Sequence, residues 1–142
     1  MSDSRSWRKR AGEIAGCYLA NVEELAGRKE YTRFKQKGYT ARQNNEIYKP
    51  VEAAALRVAS DRRIQQLERE IEAIEWAFDE LKKVENGEEV AKVAEKLYIT
   101  RYKCSPERAA FELNMDRRTV FRYNRAFLKL VAAYLGLWAP LE

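Results

Sequence analysis

Histidine is absent from all 142 residues, which removes the commonest general base and the commonest metal ligand. Two cysteines, Cys17 and Cys104, stand far apart with no CxxC pair beside them. That spacing argues against a zinc centre, and both thiols are expected to be reduced and free. Glycine and proline are scarce, six and three, so the turn signals of a β-rich chain are missing. No apolar run is long enough to cross a bilayer; the longest, Leu130 to Leu141, falls well short. The first ten residues, MSDSRSWRKR, lack the apolar core of a secretory signal. A phosphate-cradling glycine loop, a metal-binding carboxylate triad and an activated serine or cysteine are also lacking. A nucleic-acid enzyme such as a recombinase would need a tyrosine nucleophile, and nothing singles one out among eight tyrosines. The expectation is a non-enzyme without cofactor, metal or membrane span.

Charge and helical periodicity are what the chain has. Residues 1–50 carry 11 basic and 6 acidic side chains, residues 51–88 carry 6 and 10, and residues 89–142 carry 10 and 6. Two basic ends therefore flank an acidic middle, and the net charge of +5 suits a polyanionic partner. A hydrophobic content of 46% suffices to fill a core. Trp7, Ala11, Ile14, Tyr18, Val22 and Leu25 recur at helical steps, predicting one amphipathic helix of about five turns that ends at Gly27. The segment after it, GRKEYTRFKQKGYTARQNNEIYKP, reads as a basic linker with Tyr31, Phe34, Tyr39 and Tyr48. Its Arg28, Lys29, Arg33, Lys35 and Lys37, like Arg8, Lys9 and Arg10, are candidate phosphate contacts. Pro50 suits the first turn of a long helix. Ile64, Leu67, Ile71, Ile74, Phe78 and Leu81 form a short heptad seam on it, read either as a homodimer surface or as the helix's own core face. ENG at 85–87 breaks that helix, and Glu88 and Glu89 suit the start of another, with Val90, Val93, Ala94, Leu97 and Tyr102 as its buried side. Three regions follow: 1–49, a helix and linker; 50–85, a long acidic helix; and 88–138, a helix-turn-helix domain. The fold class is an all-α helical bundle with a long central helix.

The last region carries the chemistry. In SPERAAFELNMDRRTVFRYNR, Ser105 is placed to cap a helix and Pro106 to open it. Ala109 and Ala110 provide the small surface that lets a second helix approach closely. Asn114 tolerates the left-handed backbone needed for a tight turn, Met115 fills the turn, and Asp116 is expected to cap the second helix. Val120, Tyr123, Phe127, Leu130, Val131 and Tyr134 mark the core face of that helix. Arg117, Arg118, Phe121, Arg122 and Arg125 then share the opposite face, near the N-terminal end where a recognition helix meets the DNA major groove. Arginine's fork matches the two acceptors of guanine, and Thr119 is a candidate for a phosphate or a thymine methyl. The competing reading is a solvated basic face on a structural helix. The apolar tail LVAAYLGLWAP holds Leu135, Leu137 and Trp138, a second candidate surface for self-association.

The joint order of ASDRRIQQLEREIEAIEWAFDEL, VAEKLYITRY and SPERAAFELNMDRRTVFRYNRAFLKLVAAYLGL resembles the RinA/ArpU-type phage transcriptional regulators, over roughly residues 45–138. The C-terminal half is also similar to sigma factor region 4. ENGEEV stands where that family more usually has a proline-containing turn, and residues 1–45 do not match its pattern. The resemblance implies a late-gene activator of phage or prophage in the bacterial cytoplasm, acting on double-stranded DNA together with RNA polymerase. It carries the DNA contacts onto Arg117, Arg118, Thr119, Arg122 and Arg125. The acidic helix, with Glu68, Glu70, Glu72 and Glu75, is a candidate polymerase surface. A small terminase-like packaging subunit, which also joins a helix-turn-helix to an oligomerising helix, is the alternative.

Overall fold

The computed structural model describes the backbone of residues 3–36 and 50–138 and the side chains of residues 6–31 and 50–138. The protein is all-α. Six helices, α1 (Asp3–Gly16), α2 (Tyr18–Gln36), α3 (Pro50–Leu81), α4 (Gly87–Ala94), α5 (Pro106–Leu113) and α6 (Arg117–Leu135), account for nearly all of it, and no strand occurs among the described residues. No helix there is long and apolar enough to cross a membrane. Ala20–Arg69 form one compact unit, and the residues up to Leu19 together with those from Glu70 onward form another. α3 begins at Pro50 but ends at Leu81 rather than 85, and α4 begins at Gly87; the compact units divide within α2 and α3.

The larger unit is organised around Phe127 of α6, which is fully buried. Its ring meets Phe78 of α3 at 5.1 Å and Tyr98 at 6.0 Å between centroids. Trp7, Ala11 and Ile14 of α1 join Ile74, Ala77 and Leu81 of α3 and Val131 and Ala132 of α6 in this core. Trp138 packs on Trp7 at 6.3 Å and holds the Lys129 ammonium over its ring at 4.9 Å. The apolar tail is therefore largely folded back on the bundle, leaving Leu137 at 38% exposure. In the smaller unit, Arg63 grips Glu24 with both arms of its fork, at 3.0 and 2.8 Å, and Lys29 meets Glu68 at 3.0 Å.

Three sequence expectations change here, and a fourth gains detail. The first helix does not run unbroken to Gly27. It is interrupted at Cys17, and α2 continues through Gly27 to Gln36. Lys103 Nζ donates to the Gly16 carbonyl at 2.6 Å, giving the end of α1 a partner outside its own ladder. Glu24 and Arg28, one turn apart at 2.7 Å, bridge the weak helix former at 27. Second, Tyr102 is not on a buried face but 85% exposed. A π-helical turn, Glu95–Ile99, follows α4. Its extra residue shifts the register, so Tyr98 and Ile99 pack inward instead. Third, the heptad seam is spent within the chain: Leu67, Ile71, Ile74 and Leu81 are buried, and Phe78 packs against Phe127. Residues already buried in their own chain offer a second copy no surface, and Ile64, half-buried, does not make a seam alone. Fourth, Glu68 pairs with Lys29, Glu70 with Arg10 at 3.5 Å, and Glu72 and Glu75 accept hydrogen bonds from Tyr134 and Tyr18 at 2.9 Å. The acidic stripe of α3 thus has partners within the chain, while Glu68, Glu72 and Glu75 stay exposed. The linker residues Tyr39, Tyr48 and Lys37, and the side chains of Arg33, Phe34 and Lys35, lie outside the described residues.

Candidate nucleic-acid interface

The segment from Ser105 to Arg125 builds its geometry from local rules. Ser105 has extended backbone, and its Oγ accepts from the Arg108 N–H at 3.1 Å, capping α5. The helix lasts only to Leu113, because Asn114 turns left-handed at φ 61° and ψ 43°. The Asn114 N–H donates to the Phe111 carbonyl and the Met115 N–H to the Ala110 carbonyl at 2.9 Å, the paired bonds of a Schellman ending. Asp116 stands at the N-cap of α6 with extended backbone but makes no side-chain cap bond. Its expected capping role reduces to position, with its carbonyl accepting from the Val120 N–H at 3.1 Å.

Small residues decide how α5 is seated. Ala109 and Ala110 are buried with Val93, Leu97 and Val120, and Leu113, Met115, Cys104 and Tyr123 close the cluster. Two contacts anchor this layer. The Tyr98 hydroxyl donates to Asn124 Oδ1 at 2.6 Å, and burial raises its pKa. Glu112 of α5 accepts from Lys96 Nζ at 2.8 Å and from Arg108 Nε at 2.7 Å. Hydrogen bonds from Lys96 and then Arg108 lower the Glu112 carboxyl from 4.5 to about 2. Both cysteines are free thiols.

Against this frame the first three turns of α6 project Arg117, Arg118, Phe121, Arg122 and Arg125, all exposed. At 3.6 residues per turn they fall within an arc of about 140°, and Thr119 lies about 60° outside it, towards the core face, half-buried. The arginines are not equivalent. Arg117 Nη2 pairs with Glu107 Oε2 of α5 at 2.9 Å, and its guanidinium carbon lies 5.4 Å from the Phe121 ring centre. Arg122 lies over the Tyr123 ring at 5.7 Å. Arg118 and Arg125 have no ion pair among the described residues. Arg122 and Arg125 also border an open groove of about 630 Å³ whose far side holds Val84, Glu80 and Glu85.

Sequence reasoning missed two features. Phe111 is 84% exposed on α5, one turn after Glu107. The arginine face is also short: Leu128 and Ala132, nearly in line with Arg117 and Phe121 along α6, are buried in the core that α1 shares. The signal was there in AFLKLVAAYL, which is apolar almost all round and so has to be buried on more than one side. Of the other candidate phosphate contacts, Arg10, Arg28 and Lys29 are held in ion pairs with Glu13 and Glu70, Glu24, and Glu68.

No protein-family model, curated protein or solved structure matches the chain. The likeness to phage regulators rests on residue order alone.

Proposed function

We propose that the protein is a sequence-specific double-stranded DNA-binding regulator of transcription, with α5 and α6 acting as a helix-turn-helix. The observation that carries this is the exposed cluster of four arginines and Phe121 on the first turns of α6, directly after a three-residue turn. A face kept only for solubility has no need of forked donors grouped at one helix end. Arginines grouped there meet the acceptors of guanine in a major groove and the phosphates beside it. The residue order that resembles RinA/ArpU-type regulators and sigma region 4 extends the proposal to a phage or prophage late-gene activator working at a promoter with RNA polymerase. A small terminase-like packaging subunit is the weaker reading, because the α3 seam it would use for oligomerisation is buried within the chain.

The test is selection from a randomised duplex library at near-physiological salt, followed by sequencing of the bound fraction. Enrichment of a defined site supports the proposal. Arg118→Ala and Arg122→Ala then relax base preference, each by about 1–3 kcal/mol at the contacted base pair. Lys29→Ala, in the smaller unit, leaves the preference profile unchanged. Equal loss on selected and random DNA for all three variants refutes the assignment of roles.

A further inference from the structure

A carboxylate on a surface meant for DNA demands an explanation, since it repels phosphates and lowers affinity for any duplex. Glu107 is such a group. It lies in the first turn of α5, half in solvent, and its side chain reaches across to the first residue of α6. Solubility does not explain it, because the pair it forms with Arg117 removes charge from both partners. Stability explains it poorly, because the side chains are 62% and 56% exposed and such pairs contribute little. Its effect is on geometry. The carboxylate engages Nη2 from one side while Phe121 supports the guanidinium plane from another. One Nη2 hydrogen is used, which leaves the Nε and Nη1 donors and the second Nη2 hydrogen of the fork. An arginine held in this way loses little side-chain freedom on binding, which favours one hydrogen-bond geometry over many. Arg118, its neighbour, has no such support among the described residues.

Resting on the DNA-binding proposal above, we infer that Glu107 is a positioning residue for base selection, holding Arg117 as a fixed reader of one guanine. Arg125, with no ion pair among the described residues, adapts to phosphates. The pair exchanges general affinity for selectivity at a single base pair.

The experiment uses the full chain and the randomised duplex library at about 0.1 M salt, where phosphate contacts still respond strongly to charge. Wild type, E107Q, R117A, R117K and the E107Q/R117A double variant are compared position by position. For E107Q, guanine preference at one base pair falls about three- to fivefold and other positions stay within about twofold, while affinity for unselected DNA rises severalfold as a negative charge is lost. R117A flattens the same base pair, and the double variant flattens it no further. R117K keeps the charge without the fork and flattens that position nearly as far as R117A. If E107Q leaves every position unchanged, or alters a different base pair from R117A, the inference is overturned while the DNA-binding proposal stands. If wild type enriches no sequence, both fall together. Melting curves for each variant check that the helices remain folded; should E107Q fail to fold, E107A takes its place in every comparison.

Discussion

Two glycine-to-alanine changes that look alike in sequence are expected to act with opposite sign. Gly27 lies inside α2, and a Cβ built there meets nothing within 4 Å. Alanine at an open helix interior is favoured over glycine by about 1 kcal/mol, mainly through the entropy of the unfolded chain. Gly87 opens α4 and is buried. A Cβ there falls on the Leu81 carbonyl oxygen, with the carbonyl carbon at 2.7 Å and Val84 Cγ2 at 3.1 Å. The two closest atoms are backbone at the end of α3, which no rotamer change relieves. Overpacking of this kind costs about 1–3 kcal/mol, and a backbone clash belongs at the upper end. Set against a propensity gain of at most about 1 kcal/mol, the net loss is about 2 kcal/mol. At about 2–4 °C per kcal/mol for a chain of this size, Gly87→Ala lowers Tm by roughly 4–8 °C and Gly27→Ala raises it by about 3 °C. Thermal melting followed by helical circular dichroism reads both. If Gly87→Ala melts at or above wild type, the close approach of α4 to the end of α3 is wrong, and with it the support α4 gives to α6.

Phe127→Ala empties the ring site at the centre of the larger unit and is expected to cost about 3–5 kcal/mol in urea unfolding; a loss below about 1 kcal/mol would show that the site is not the core. Asn114→Gly is expected to be neutral or mildly stabilising, whereas Asn114→Val, forced to φ 61°, loses about 1–2 kcal/mol or more. Equal stability of the two variants would argue against the left-handed turn. Because Lys96 and Arg108 hold Glu112 at about 2 when folded against an ordinary 4.5, its stabilising contribution is complete above 4.5 and lost as pH falls towards 2. Glu112→Gln should therefore narrow the gap in stability between about pH 5 and pH 3, and an unchanged gap would mean that the carboxylate is not held by those cations.

Local chemistry is legible in residue type and spacing. Ser105 and Pro106 announce the start of α5, Asn114 its left-handed end, and the three- and four-residue steps from Val120 to Tyr134 the buried face of α6. Each depends on interactions within a turn or two, so the neighbouring residues are enough to specify it. Gly27 shows the limit of that logic: the same residue that ends a helix elsewhere is passed over when Glu24 and Arg28 bridge it. The heptad seam shows another. Periodicity says that Ile74, Phe78 and Leu81 seek an apolar partner, and an intermolecular helix and the chain's own α6 satisfy it equally well in sequence.

Sequence by itself determined that this protein is helical, that it carries no histidine chemistry, and that arginines crowd one face at the start of its last helix. Tertiary structure alone decided which arginine is paired, because Glu107 reaches Arg117 from another helix, whereas Phe121 and Tyr123 lie within a turn of the arginines they meet. It also decided that the acidic stripe of α3 is met by Lys29, Arg10, Tyr134 and Tyr18. Burial and pairing are properties of what lies across a contact, and a contact between residues tens of positions apart leaves no mark in the local pattern of either.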